Sequence, residues 1–349
     1  LCFYGMANYT ANKAWADANL KICTPITADA RGNMWFGYYV ENQTARPAGF
    51  PDIGTGGIAR MNTGGVGTWV KADVASGDAS IRFPQFNCAP AISNDGDAVY
   101  VPVKYGGSWT SGYLLKLNAR TLATMAQVKP VDQYTGNDCL FLNESTACPM
   151  VASDGDVYMG VFNNPYLDSH GWLAHYSADL VPKGATGAFG WDDTASIVPS
   201  SIVPSYAGSS PYLVLTKYNK YAGFYYSLTG TYAQGNNMLS VLDPNDPSHF
   251  DSRTNTYTMQ EILTILSPTP DAGWVGAGYP SAVREWCINS AAIDPYNHCA
   301  IVNCEDGHVY KWDFNTNTFT YDVLLAPPTG EAYTTTIIGL NGLVYAINN

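Results

Sequence analysis

The chain has 349 residues, with 17 Lys+Arg against 29 Asp+Glu and a formal net charge of −12. Only 13% of its residues are charged, where an ordinary soluble domain has roughly 25%, while 46% are hydrophobic and 13% aromatic. So apolar a chain can bury enough surface to offset its ordering entropy, which excludes disorder. Its acidity excludes a nucleic-acid binder that works by neutralising phosphates, and no apolar run approaches the ~18–20 residues of a membrane helix.

In chain order, residues 1–9 read as one strand and 15–22 as another. Pro, Gly and β-branched residues interrupt nearly every window of helical length. The one fair helical candidate, residues 259–266, is short and reads equally well as a strand. What recurs is a strand, a Gly/Asp/Asn turn, a second strand, a loop and a third strand. This is an all-β pattern, and it repeats.

Cys23-Thr24-Pro25-Ile26, Cys88-Ala89-Pro90-Ala91-Ile92 and Cys148-Pro149-Met150-Val151 open successive units. Each is followed by an aromatic strand (Trp35-Phe36-Gly37-Tyr38, Val99-Tyr100-Val101, Val157-Tyr158-Met159) and then by a third strand near 57–62, 112–118 or 171–176. Less regular units start near Ser201 and at Cys287, and the last starts near Thr335 with only two strands. A ring of four-stranded sheets, its last blade completed by residues 1–22, is a β-propeller, and closing the ring hides strand edges. The expected fold is therefore a single all-β propeller domain over 1–349. Its blades fall at 23–87, 88–147, 148–200, 201–286 and 287–332, with a final blade beginning at 333–349. That makes six blades, with room for a seventh inside 201–286.

The units Asp154-Gly155-Asp156-Val157-Tyr158, Asp306-Gly307-His308-Val309-Tyr310 and Asn341-Gly342-Leu343-Val344-Tyr345 carry a further signal. With Gly171-Trp172-Leu173-Ala174-His175-Tyr176 they resemble the repeat of the PQQ-like (quinoprotein-like) propellers. The resemblance implies the propeller fold over most of the chain. It implies a function far less, because a fold hosts many functions. Cofactor-binding quinoproteins hold their cofactor with a vicinal Cys–Cys disulfide, a stacking Trp and acidic calcium ligands. This chain has no adjacent Cys pair, so no cofactor is expected.

Eight cysteines without CxxC or zinc-finger spacing fit structural disulfides in an oxidising compartment. Loop length favours Cys139–Cys148, and a hairpin turning at residues 294–298 favours Cys287–Cys304. The partners of Cys2, Cys23, Cys88 and Cys299 stay open. Sequons at Asn8, Asn42 and Asn143 point to N-linked glycans, with Asn143 the best placed in its short Cys139–Cys148 loop. With Leu1 in place of Met, the chain reads as a processed, secreted protein.

No HExxH, paired His or GxSxG motif occurs, and the five His are isolated, so no catalytic residue is nominated. Asp243, Asn245, Asp246 and Asp251 are calcium candidates, though such clusters usually form solvated turns. Tyr218, Tyr221, Phe224, Tyr225 and Tyr226 form an aromatic insertion suited to an interface or to stacking on sugar. The tryptophans at 109, 172, 191 and 274 read as blade packing. The expected function is that of a non-enzymatic extracellular glycoprotein, a structural or recognition module. Its partners would be copies of itself, another extracellular protein or a glycan. The alternative is a secreted propeller enzyme (oxidoreductase, lyase or hydrolase) with its site at the channel mouth.

Overall fold

The structure, a computed structural model, describes residues 2–42, 45–143, 145–165, 169–223, 234–325 and 335–347. It divides into two compact units. The first comprises residues 1–131, 138–157 and 176–182; the second comprises 132–137, 158–175 and 183–349.

In the first unit, Met34–Val40 pairs antiparallel with Gly56–Met61, which pairs with Gly67–Lys71. Along its other edge Met34–Val40 meets two short strands in succession, Leu20–Ile22 and Thr27–Ala28. The break between them holds Cys23-Thr24-Pro25. Pro25 has no N–H to give to the ladder, so the innermost strand is interrupted there. The next sheet repeats the design. Ala98–Tyr105 pairs with Gly112–Asn118 and then Thr124–Val128, while its inner edge meets Ile81–Pro84 and Ala91–Ile92. The break there holds Cys88-Ala89-Pro90. The recurring Cys-x-Pro thus marks the interruption of the first strand, where the sequence had suggested its start.

Side-chain alternation places the core. Phe36, Tyr38 and Val40 point to one face of the first sheet and pack with Phe3, Tyr4 and Phe50. Trp35 and Ile58 point to the other face and pack against Val99, Val101, Val103, Leu115 and Leu117 of the second sheet. Successive four-stranded sheets stacked face to face in this way are the blades of a propeller.

The second unit contains the strands Val157–Val161 and Trp172–Tyr176, up to their limits at Tyr158 and His175. A four-stranded sheet follows: Ser196–Pro199, Tyr212–Tyr218, Met238–Asp243 and Gln260–Leu266. The ambiguous segment 259–266 is therefore a strand. Between the last two strands a small hairpin, His249–Asp251 with Thr256–Thr258, is inserted. A second four-stranded sheet runs Ala292–Asp294, Cys299–Asn303, His308–Asp313 and Thr318–Leu324. Leu213, Leu215, Leu239 and Val241 of one sheet pack on Ala300, Val302, Tyr310 and Trp312 of the other. The hairpin Ile337–Ile338 with Val344–Tyr345 ends the described chain.

The N-terminal segment departs from expectation. Residues 1–9 and 15–22 do not form two strands. Met6–Ala11 and Lys13–Asn19 are short helices, and only Leu20–Ile22 is extended, paired to the first sheet. Phe3, Tyr4 and Ala16 cap the outer face of that sheet, so burial on the first blade directs this segment.

Candidate functional site

In the first unit the turns at one end of the two sheets surround a cleft of about 770 Å³. Its walls include Arg31, Arg60 and Arg120, with Asn33, Asn62, Asp97 and Asn118. Arg60 lies on Gly56–Met61, directly opposite Trp35 across the ladder. Its guanidinium carbon stands 5.9 Å from the centre of the Trp35 ring, and its Nη2 donates to Asn33 Oδ1 at 2.7 Å. The Trp35 ring is itself fixed, because its Nε1 donates to the Ala119 carbonyl of the second sheet at 2.8 Å.

Turn chemistry aims the remaining groups. The Asp29 carboxylate accepts the N–H groups of Arg31 (2.9 Å) and Asn33 (2.8 Å) and also the Asn33 side-chain amide (2.7 Å). The bond from the Asn33 side chain, joined by those backbone N–H groups, holds the Asp29 carboxyl below its ordinary value, so it stays ionised. Asn33 is thereby locked with its oxygen toward Arg60. Asn118 does the same work in the facing turn, accepting the N–H groups of Arg120 (3.0 Å) and Thr121 (2.9 Å).

Among the described residues none of Arg31, Arg60 and Arg120 is in an ion pair, and Arg60 Nε is buried with no hydrogen-bond partner. Unpaired guanidinium groups around a concave space suit a carboxylate, sulfate or phosphate, which they can grip bidentately. The cleft lies within the 300–1,000 Å³ typical of small-ligand sites. No sequence motif marks it, because 31, 60 and 120 are far apart. The one available signal is the repeated Asp29-Ala30-Arg31 and Asn118-Ala119-Arg120, in which a turn-forming Asx precedes each Arg by two residues.

The second unit holds two buried charge networks. Lys217 Nζ lies 3.2 Å from Asp192 Oδ2, and Asp193 Oδ2 accepts Thr216 Oγ1 (2.6 Å) and the Lys217 N–H (3.1 Å). Burial pushes the Asp193 carboxyl up to about 7, against the opposing pull of Lys217 and of those hydrogen bonds. In the other network, His170 Nε2 meets Asp251 Oδ2 at 3.1 Å, and Arg253 links Asp251 Oδ1 (3.3 Å) to the Tyr218 hydroxyl (2.9 Å). Burial and the neighbouring Arg253 push the His170 imidazole down. This network ties the inserted hairpin to Tyr212–Tyr218 and lies inside the protein.

The residues singled out from sequence are dispersed. Asp251 is taken by His170 and Arg253. Asp243 accepts Tyr206 Oη (2.6 Å), Ser210 Oγ (2.5 Å) and the Asn245 N–H (3.0 Å), while Asp246 is half-buried and its carbonyl accepts the Gln260 N–H at 2.7 Å. Among the described residues no group of three or more His, Cys, Asp or Glu is placed to hold a metal ion. The calcium candidates are thus turn and network residues.

Tyr218 and Tyr221 do not form a surface. They are buried with Phe189, because the apolar rings complete the core beside their own strand. Phe224, Tyr225 and Tyr226 lie outside the described residues. Trp172 is fully buried as expected, whereas Trp109 and Trp274 are exposed. Of the sequon residues Asn42 is exposed. Asn8 is half-buried and donates to the Tyr4 carbonyl at 2.7 Å, and Asn143 has its side-chain oxygen buried. No disulfide is closed among the eight cysteines, all of which are described. The 294–298 turn exists, with Asp294 opposite Cys299, but the Cys304 sulfur meets Ser267 Oγ and the Glu285 carbonyl, both at 3.4 Å.

No protein-family model matches the chain, and no curated protein matches it. Solved structures do. The quinohemoprotein alcohol dehydrogenase ADHIIG from Pseudomonas putida HK5 aligns with a TM-score of 0.50 at 10% identity, over 95% of this chain and 66% of that one. The fold is that of a β-propeller. BamB from Moraxella catarrhalis aligns at 0.43 with 13% identity, over 91% of this chain and 68% of that one. The Dos1 propeller aligns at 0.44 with 12% identity, over 87% and 61%. At such identities the likeness concerns fold, and this chain spans about two thirds of the length of these structures. The β-propeller fold read from the repeats is thus borne out.

Proposed function

We propose that this propeller is a secreted recognition module whose binding site is the arginine-lined cleft of the first unit. Its ligand is a carboxylate-bearing glycan, such as a uronic-acid oligosaccharide. One observation carries the reading: three arginines with no ion pair among the described residues surround one concave space, in a chain with only 17 Lys+Arg. The extracellular setting is supported by the eight cysteines, the sequons and the low charge content. Recognition is favoured over pure assembly because the cleft is polar and built from fixed turns, whereas assembly surfaces are broad and apolar at their centre.

Calorimetric titration of the full chain with oligogalacturonate, against a neutral cello-oligosaccharide of equal length, tests it. The acidic ligand should bind and the neutral one should not. Arg60→Ala should weaken binding about tenfold or more, the loss expected for one charge-assisted pair. Affinity should also fall as salt rises. Equal binding of both sugars, binding of neither, or an Arg60→Ala variant with unchanged affinity would overturn the assignment. Recovery of a shortened or oxidised sugar would overturn the non-enzymatic part and favour the enzyme alternative.

A further inference from the structure

The Cys88-Ala89-Pro90 break of the second repeat and the Cys148-Pro149 that opens the third are brought together within the first unit. The Ala89 N–H donates to the Cys148 sulfur at 3.1 Å, and that sulfur also lies 4.0 Å from the Asn87 carbonyl. In return the Cys88 thiol donates to the Ala147 carbonyl at 3.1 Å. Each sulfur is therefore seated against the backbone that flanks the other cysteine. Nearby, the strands Ala91–Ile92 and Met150–Val151 follow the two cysteines, and Asn94 Nδ2 donates to the Ala152 carbonyl at 2.7 Å, so the two segments run together beyond the cysteines.

We infer that Cys88 and Cys148 are a redox pair that closes to a disulfide in an oxidising compartment and staples the inner strands of two successive blades. This pairing replaces the Cys139–Cys148 bridge that loop length suggested. Short sequence separation is no guide here, because the repeat places equivalent positions of adjacent blades side by side.

The two sulfurs differ in a way that orders the reaction. Cys148 is half-buried, while Cys88 is fully buried. Burial and the neighbouring Cys148 also push the Cys88 thiol up, so it is the poorer thiolate. With a low-molecular-weight disulfide such as glutathione disulfide as oxidant, the Cys148 thiolate attacks one glutathione sulfur. A Cys148–glutathione bond forms and one glutathione leaves as thiolate. The Cys88 thiolate then attacks the Cys148 sulfur, the second glutathione leaves, and the protein disulfide forms. Two protein thiols are oxidised, one glutathione disulfide is reduced to two thiols, and the two protons lost by the protein end on the glutathione thiolates.

The test uses the full chain, reduced, desalted and incubated with glutathione disulfide. Remaining thiols are then alkylated, and the digest is analysed by mass spectrometry without reduction. The expected product is a peptide pair joining Cys88 to Cys148, lighter than the two separate peptides by two hydrogens. In the native reduced protein, iodoacetamide should label Cys148 before Cys88. A Cys139→Ser variant should form the same bridge. Oxidation should raise the melting temperature of the wild-type chain but not of Cys148→Ser. Finding Cys88 and Cys148 both alkylated after oxidation, or Cys148 joined to Cys139, would overturn the inference. Neither result depends on any glycan binding in the cleft.

Discussion

Asp193 is a carboxyl that folding makes harder to ionise. It is buried beside Lys217, yet its removal from water outweighs that cation and raises it to about 7 from the ordinary 3.8. The consequence for stability has a definite sign. Between about pH 4 and about pH 7 the native state holds a proton on Asp193 that the unfolded chain has lost. Stability from this group therefore falls as pH rises through that window and is constant above it. Asp193→Asn keeps the oxygen that accepts from Thr216 and the Lys217 N–H. It should remove this slope, so that the stability of the variant relative to wild type is greater at pH 8 than at pH 5. Urea unfolding at the two pH values measures it, and an identical difference at both would show that Asp193 does not titrate in this way. Asp251 behaves oppositely: His170 and Arg253 keep it ionised well below the usual carboxylate range, so its contribution is present above about pH 4 and lost below. Asp243, Asp246 and Asp251 were visible in the sequence as an acidic cluster. Their roles were not, because His170 lies 81 positions from Asp251 in the sequence and Lys217 lies 25 from Asp192. The three cleft arginines were hidden for the same reason.

At the scale of elements, turn and breaker chemistry was the most readable layer. Cys-x-Pro recurs because an inner strand must be interrupted in each of the first two sheets, and the Asp-Gly and Asx turns fall where the structure turns. The N-terminal helices were missed although their signal was present. Residues 6–11 and 13–19 contain five alanines and no Gly or Pro, and Ala is the strongest helix former. A reading that required those residues to complete a distant sheet overrode the local propensity. Their docking has a checkable contact. A Cβ added at Gly67, on the outer strand Gly67–Lys71, would stand 2.0 Å from the Phe3 carbonyl oxygen and 2.4 Å from the Phe3 Cα. These are backbone atoms, which cannot rotate away. Gly67→Ala should therefore lift the N-terminal segment from the first sheet and destabilise the unit by about 1–3 kcal/mol. Hydrogen exchange should show lost protection across residues 3–19, and unchanged protection there would mean that the segment does not rest on Gly67.

For the molecule as a whole, the acidity that first excluded nucleic-acid binding also opposes association between copies. The propeller fold was legible because it repeats, and each repeat restates the same alternation of core and surface. The ends were not, because they depart from the repeat. The terminal hairpin leaves Ile337, Leu340, Leu343, Val344 and Ile347 exposed within eleven positions of one another. Contiguous apolar exposure of this kind favours association unless charge opposes it. The net charge of −12 at pH 7 supplies that opposition, and it vanishes as carboxylates titrate toward the isoelectric point near 4.6. The chain should therefore scatter light as a small uniform species at pH 7.5 and low salt, and self-associate progressively as pH falls to about 5. Added salt at pH 7.5 should act in the same direction by screening the repulsion. Leu340→Lys with Leu343→Lys reduces the apolar face but also lowers the negative charge, so Leu340→Glu with Leu343→Glu is the cleaner variant. It should remain monodisperse further toward pH 5 than the wild type. A hydrodynamic radius unchanged by pH, or an identical pH profile in the glutamate variant, would show that the exposed hairpin is not what brings copies together.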